Sequence, residues 1–461
     1  MSTTSINAGA ELSSEMIATL RSRINGHLSI PGDAGWDLVR APWLLMVEQQ
    51  PLAVLDAADA DDVAAAVAWA DEAGVQVLVQ PTGHGAHDAA EGALIVRTGR
   101  LDDISVDVEA ATVRIGAGVS AGALAAALAG TGLTFLVGSN PHPSATGLTL
   151  GGGLSWFGRA FGLGCDSILA ADVVDGTGWL RRVDGNTDPE LLWALRGGGG
   201  DLAIVVALEL ALHPAPTIHG GQLLWPAEAM ADVLRAFRDI SAAAPDTFTA
   251  WWHALNFPPL PEIPEPLRGG RFTAVVVTHL GGAAELDELL APLRAVPGTV
   301  MDAVGPVPVE RVPELAGEPT EPGYFVMRST LLNHLDDATV DSLISVIGPE
   351  TQCPLGVVQI RQLGGALARA GAGGCHGPIA EPFVINGVAQ LPGPELAPMM
   401  HGALAEMIGS VAGASAGRTV MNFIEHGQAA QWWDQASLER LRAVKATTDP
   451  RGILRSNRAL G

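Results

Sequence analysis

Gln80-Pro81-Thr82-Gly83-His84-Gly85-Ala86-His87 directly follows the apolar run Val75-Gln76-Val77-Leu78-Val79. The run is short and rich in β-branched residues, so it reads as a strand that ends at a turn. A histidine between two glycines sits where the backbone can approach something bulky. Glycine tolerates unusual backbone angles and puts no side chain in the way. Two more glycine-rich elements follow downstream. One is Ser139-Asn140-Pro141-His142-Pro143-Ser144-Ala145-Thr146-Gly147-Leu148-Thr149-Leu150-Gly151-Gly152-Gly153, and the other is Trp193-Ala194-Leu195-Arg196-Gly197-Gly198-Gly199-Gly200.

Composition limits what these elements can serve. The 461 residues leave room for two or three domains, and 48% hydrophobic residues specify a globular chain. The formal charge is −24, from 50 acidic and 26 basic residues. Such a surface repels phosphate backbones and anionic lipid, which argues against nucleic-acid and membrane partners. Cys165, Cys353 and Cys375 are odd in number and lack CxxC spacing, so zinc and a disulfide scaffold find no support. No secretory signal and no run of about 18 apolar residues is visible. A cytoplasmic enzyme without metal is the expectation, and the sequence leaves its oligomeric state open. The single lysine, Lys445, reads as a bias toward arginine.

Helical spacing covers residues 13–24, 60–73 and 121–128. Strand-like runs cover 75–79, 93–96, 112–115 and 170–174, with an apolar run at 202–212. Many short elements punctuated by glycine suit an α+β domain rather than a regular Rossmann array. Composition shifts at His213-Pro214-Ala215-Pro216. Beyond it, helical segments accompany five strand-like stretches at 247–257, 272–279, 324–332, 356–363 and 382–390. That pattern predicts an antiparallel sheet with helices on one face. The stretches 258–264 and 371–374 read as surface loops.

The three glycine-rich elements, in this order, resemble the FAD-binding domain of the vanillyl-alcohol-oxidase (PCMH) type, in its berberine-bridge-enzyme-like branch. The resemblance continues through Trp156-Phe157-Gly158-Arg159-Ala160-Phe161-Gly162-Leu163-Gly164-Cys165-Asp166-Ser167-Ile168-Leu169 and Asp188-Pro189-Glu190-Leu191-Leu192-Trp193. It closes on Met421-Asn422-Phe423 and Asp449-Pro450-Arg451-Gly452-Ile453-Leu454-Arg455-Ser456-Asn457. It implies a two-lobed PCMH-type FAD-binding domain, with a substrate domain built on the antiparallel sheet. The cofactor domain is then discontinuous, over 1–215 and 412–461, around a substrate domain at 216–411.

The same resemblance implies that His84 carries FAD through a covalent bond to the 8α-methyl carbon. The family usually has glycine where this chain has Thr82. A second flavin link through cysteine, common in this branch, would fall at Asn140, so a single link is expected. An open flavin edge would then admit a bulky substrate. The expected cofactor contacts are Thr82, Gly83, Gly85, Ala86, Ser139, His142, Ala145, Thr146, Gly147, Gly151, Gly152, Asn422 and Asn457. Backbone N–H groups of the 139–153 loop would cradle the pyrophosphate. A small Ala145 facing the ring would leave space for oxygen. Gly197–Gly200 lacks the Gly-Lys-Ser/Thr ending of a P-loop and would instead permit close packing beneath the flavin.

Within the strand-like stretches, His253 and Gln359 interrupt apolar sequence. Period-two alternation puts Trp251, His253 and Leu255 on one face, with Val357, Gln359 and Arg361 together on another strand. Polar side chains on a buried sheet cost free energy unless paired, which makes these residues pocket candidates beside the plainer reading as hydrogen-bonded core. The family often carries an acidic base here, or a tyrosine at the position of Val420. Gln359 cannot act as a base, so His253, Glu425 and His426 are the candidates for proton transfer. An imidazole near its ordinary pKa of about 6.5 suits that role. Trp251 or Trp252 would stack on a planar substrate.

The function expected is an FAD-dependent oxidase of a small organic molecule, reoxidised by oxygen, in the tailoring of a secondary metabolite. The alternative is a flavoprotein with structural FAD that catalyses a non-redox cyclisation.

Overall fold

The computed structural model describes residues 12–87, 90–261, 263–424 and 432–460. Its first sheet runs His27–Ser29, Ala53–Asp56, Ala93–Arg97, Gln76–Val79 and Leu454–Arg455 in spatial order. The last four are parallel neighbours and the first pairs antiparallel. Parallel strands need covered faces, and the apolar runs supply them. Helix Ala60–Ala73 lies against this sheet. Asp59 caps it by accepting the Asp62 N–H, and Gly74 ends it at φ 68°, a left-handed angle that glycine adopts without cost. Val63, Ala66, Val67 and Ala70, spaced at helical intervals, are all fully buried.

A second, antiparallel sheet orders Ile104–Asp107, Thr112–Gly116, Ile204–Ala211, Ile168–Val174 and Leu180–Asp184. The C-terminal segment returns beside these sheets. Leu454–Arg455 joins the first sheet next to the strand that leads into the His84 turn.

The third sheet is antiparallel, and eight-stranded among the described residues. Its main path is Met301–Asp302, His219–Pro226, Arg271–His279, Phe248–Asn256, Val357–Gln362, Phe383–Leu391 and Tyr324–Leu332, and Gly305–Pro306 pairs with the second of these. Sequence patterning names five of these strands and misses His219–Pro226. Gly220-Gly221 and Pro226 there read as breakers. In the fold Gly221 has φ 137°, and a Cβ on it would meet the Ala303 carbonyl oxygen at 2.2 Å. The glycine is the condition for the edge chain to approach so closely.

Helices Met230–Ala243, Ala283–Arg294, Asp337–Ile347 and Ala397–Ser410 share one apolar core with one face of this sheet. Trp252, Phe248, Phe237 and Trp225 fill that layer with no exposed surface. Each such side chain contributes about 1.5–3 kcal/mol when taken from water. The alternate residues Trp251, Val276, Leu331 and Val384 belong to a different core. It includes Trp156, Phe157 and Leu163 of the chain that follows the second glycine-rich element. The third sheet is therefore covered on both faces, by helices on one side and by the first part of the chain on the other. No described helix is long and apolar enough to cross a membrane.

Candidate functional site

The turn carrying His84 is held from three directions. Trp43 and Leu44 N–H groups donate to the Thr82 and Gly83 carbonyls, at 3.0 and 3.2 Å. The Ala86 N–H closes the turn on the Gly83 carbonyl at 3.2 Å, and Asn457 Nδ2 donates to the Gly85 carbonyl. Gly83 is required by its backbone, and Gly85 makes room for the Asn457 side chain. Gly83 has φ 84°, and a Cβ there would lie 2.7 Å from Pro42, while one on Gly85 would lie 2.6 Å from Asn457 Nδ2. Thr82, in the place where the family usually has glycine, contributes a hydroxyl 2.8 Å from His84 Nδ1.

His84 Nε2 is buried with no hydrogen-bond partner. Burial, with a smaller push from His142, lowers its pKa to about 4, so the ring is neutral at ordinary pH. Trp43 stacks on it at 4.1 Å between centroids, and Phe325 of the third sheet stacks on the far side of Trp43 at 4.9 Å. The sequence reading misses both aromatics. Trp43 lies outside any motif, and Phe325 is one apolar residue among many in its strand.

The second glycine-rich element folds as a loop, the helix Ala145–Leu150, and a tight glycine turn. Ser144 caps the helix, accepting the Gly147 N–H at 3.2 Å and donating to the Ala117 carbonyl at 2.7 Å. Gly152 and Gly153 have φ 105° and 77°. Asn422 pins this turn across 269 residues of sequence. Its Oδ1 accepts from the Gly153 N–H at 2.9 Å and its Nδ2 donates to the Leu148 carbonyl at 3.1 Å.

The backbone N–H groups of Ala145, Gly147, Gly151, Gly152 and Gly153 all have partners within the protein. A short helix and a pinned turn consume these five, whereas no such bond is made by the N–H groups of Ser139, Asn140 and Thr146 in the same loop. Ala145 is wholly buried in the apolar core, whereas His142 and Gly147 are exposed. Thr146 Oγ1 is a second buried atom without a partner. Asn140 donates to the Pro319 carbonyl at 2.7 Å and accepts the His142 N–H at 2.9 Å.

The third sheet presents a polar row to this side. His253 pairs with Gln359, Gln359 with Asn386, and Asn386 with Ser329 across neighbouring strands. Two pairs along, on the same face, Trp251 stands opposite Arg361. Arg361 donates to Gln359 Oε1 at 2.7 Å, Glu318 Oε1 at 3.0 Å and Ser139 Oγ at 3.3 Å, which ties the sheet to the glycine-rich loop. His253 Nε2 and Asn386 Oδ1 are buried without partners, on either side of Gln359. Phe325 lies on the same strand and face as Ser329, four residues along, and stacks on Trp43, which stacks on His84. Asn386 carries the same signal as Gln359, a polar residue interrupting an apolar strand, and sequence reading passes over it.

His253 is a poor base. Complete burial, with the nearby Arg361 charge, lowers its pKa to about 3, against the unshifted value expected from sequence. Neither tryptophan face is free for a planar substrate. Trp251 stacks on Trp156 at 3.3 Å and lies under Arg361 at 3.8 Å, and Trp252 points into the helix-side core. Glu425 and His426 lie outside the described residues.

The orphaned His84 nitrogen and Thr146 hydroxyl, two buried polar atoms without a protein partner, fit a polar ligand seated against these two elements.

Comparison with known proteins agrees. An FAD binding domain family matches residues 51–184, which contain both the His84 turn and the glycine-rich loop. The (R)-6-hydroxynicotine oxidase of Paenarthrobacter nicotinovorans is 28% identical over 287 residues, 61% of this chain and 60% of that protein. An FAD-linked oxidoreductase of Bacillus subtilis is 28% identical over 47% of this chain and 50% of its own length. The chain thus spans about half the length of the curated relatives it matches. Among solved structures, BBE-like 1 of Physcomitrella patens superposes with a TM-score of 0.84 at 20% identity, covering 97% of this chain and 99% of that one. The 6-hydroxy-D-nicotine oxidase of Arthrobacter nicotinovorans gives 0.79 at 22% identity, covering 96% and 98%.

Proposed function

The chain has the fold of the berberine-bridge-like, PCMH-type FAD-linked oxidases and carries their FAD binding domain at residues 51–184, and on that premise we propose that it oxidises a small organic molecule with FAD attached through His84. The observation that carries this reading is a neutral, buried His84 with a partnerless nitrogen, stacked through Trp43 on Phe325 of the strand that also carries Ser329 of the polar row. Bound there, FAD supplies the hydride acceptor and the centre at which oxygen becomes peroxide.

The chain's own residues position and polarise. The Thr82 hydroxyl orients the His84 ring, and Asn457 and Asn422 hold the two turns. His253, Gln359 and Asn386 offer hydrogen bonds to a substrate's heteroatoms. Arg361 brings a buried positive charge that favours an electron-rich substrate oxygen or nitrogen. His253 binds and orients rather than removing a proton, because it is too weakly basic near neutrality. With Asn140 engaged in loop hydrogen bonds and no second link, the flavin edge stays open, which suits a bulky secondary metabolite.

The test has two parts. The purified protein should be yellow, and the colour should remain with the polypeptide after acid precipitation, on a tryptic peptide containing His84. Colour released wholly into the supernatant refutes the attachment. Anaerobic addition of a turned-over substrate should then bleach the flavin. The weak basicity of His253 favours one competing reading, structural FAD with a non-redox cyclisation. Turnover without bleaching would establish it.

A further inference from the structure

A second group of side chains lies apart from the His84 turn and the polar row. Cys165 Sγ, an Asp166 carboxylate oxygen and a His376 ring nitrogen come within 4.8 Å of one another. His376 Nε2 is 3.2 Å from Asp166 Oδ1. Cys165 has no exposed surface, and the His376 and Asp166 side chains are only 4% and 11% exposed. His376 belongs to the chain between the strands Val357–Gln362 and Phe383–Leu391 of the third sheet. The other two come from the turn after the glycine-rich loop. The residues are thus more than two hundred positions apart, which is why cysteine spacing gives no sign of them.

The surroundings are shaped for these side chains. His376 Nδ1 is 3.1 Å from the Gly377 carbonyl, and donation there turns the Nε2 lone pair toward Cys165 and Asp166. This is the usual outer-shell arrangement of a ligating histidine. Four glycines make the room. A Cβ on Gly371 would meet Asp166 Oδ1 at 2.1 Å, one on Gly162 would meet Asp166 Oδ2 at 3.0 Å, and those on Gly197 and Gly374 would press the imidazole at 3.0 and 3.1 Å. The loop itself is tied down by Ala372 N–H to Asp166 Oδ1 at 3.0 Å, Arg196 Nη1 to the Ala372 carbonyl at 2.8 Å, and Cys375 N–H to the Arg196 carbonyl at 3.1 Å. Cys375 Sγ points elsewhere, toward the Arg196 and Ala194 carbonyls.

We propose that Cys165, Asp166 and His376 form a site for a thiophilic divalent cation, zinc by its donor set, which fastens the 371–377 loop of the substrate side to the flavin side. One thiolate, one imidazole and one carboxylate suit zinc, and three protein donors leave the fourth tetrahedral position for water. On binding, the cation replaces two protons, that of the Cys165 thiol and the Nε2 proton through which His376 pairs with Asp166, and both leave to solvent. This site is independent of how the flavin reacts.

The experiment uses the full-length, flavin-loaded, untagged protein. Zinc should remain in stoichiometric amount after desalting. Cobalt exchanged for it should give tetrahedral d–d bands on the red side of the flavin absorption. Cys165→Ser and His376→Gln should lose both, while Cys353→Ser keeps them. X-ray absorption on the wild-type zinc protein should show one sulfur at about 2.3 Å with lighter ligands, a readout that needs no variant to fold. Absence of bound zinc and of the cobalt bands overturns the proposal and leaves a simple histidine–aspartate pair. A zinc shell without sulfur, or zinc retained in Cys165→Ser, places the ion elsewhere and overturns it equally.

Discussion

The Arg361 guanidinium lies 3.8 Å over the ring of Trp251, whose other face carries Trp156 at 3.3 Å. A charged plane and two indoles thus form one stack between the third sheet and the chain after the glycine-rich loop. Arg361 is also the cation for Glu318 and the donor for Gln359. Replacing it with Met should leave a carboxylate and an amide oxygen unpaired, at a cost of about 3 kcal/mol. The midpoint of denaturant unfolding should fall accordingly. Arg361→Lys should recover only part of the loss, because an ammonium cannot donate as a planar fork while stacked. Full recovery by lysine would show that charge alone matters.

Stability should fall with acid, and the sign follows from His253. Its folded pKa, about 3, lies below the unfolded value near 6.5. Within that window the unfolded chain binds a proton that the folded one refuses. The contribution is complete above pH 6.5 and lost as pH falls toward 3, at about 1.4 kcal/mol per pH unit. His84, held at about 4, adds the same sign wherever its ring is free. His253→Gln should remove the His253 share, about 2 kcal/mol between pH 6.5 and pH 5. Parallel stability curves for wild type and variant over that range would contradict the buried, neutral imidazole.

Asn422 should control cofactor loading through the glycine turn. Its amide satisfies the Gly153 N–H and the Leu148 carbonyl at once, and Gly151 leaves room for it. Asn422→Ala strands both groups, each worth about 1–3 kcal/mol. The expected result is a lower ratio of flavin to protein absorbance in the purified variant. Asn422→Asp should do little better, because a carboxylate faces the Leu148 carbonyl without a proton to donate. Unchanged loading in both would assign the turn's geometry to its glycines alone.

Much of this was legible in the sequence, and the gaps have physical causes. Alternation correctly placed Trp251 with His253, and Gln359 with Arg361, because period two is set by the pleat. Helix Ala60–Ala73 was legible from its helical spacing, whereas its Asp59 cap and closing Gly74 emerge only in the structure. Long-range contacts were not legible. Trp43 meets Phe325 across a separation of 282 positions, and neither residue carries a local signal. Lys445 read as composition, yet its ammonium reaches the Asp201 and Leu454 carbonyls and pairs with Asp449, anchoring the strand that closes the first sheet. The pKa of His253 was equally invisible, since it depends on how deep the sheet is buried and on which residue stands opposite its neighbour.

Arg159 ties the chain after the glycine-rich loop to the third-sheet segment, and its loss should uncouple them. It sits in the short helix Gly158–Phe161 after the glycine-rich loop, and its side chain reaches across to the third-sheet segment. Nε donates to the Phe248 carbonyl at 2.7 Å, Nη2 to those of Ala244 and Pro245 at 3.0 and 3.2 Å, and Nη1 to that of Leu363. Four carbonyls from two separate stretches of chain thus converge on one buried fork. Water cannot replace that fork without opening the interface. Arg159→Met keeps the aliphatic stem but leaves the carbonyls bare, at about 1–3 kcal/mol for each that finds no new partner. In wild type, the rise of flavin fluorescence as the ring is exposed and the loss of secondary structure should share one thermal transition. In the variant the third-sheet side should melt first, at lower temperature, so that circular dichroism and flavin fluorescence report different midpoints. Coincident midpoints in Arg159→Met, even if lowered together, would mean that the apolar core around Trp156 and Trp251 holds the two sides as one unit without the arginine.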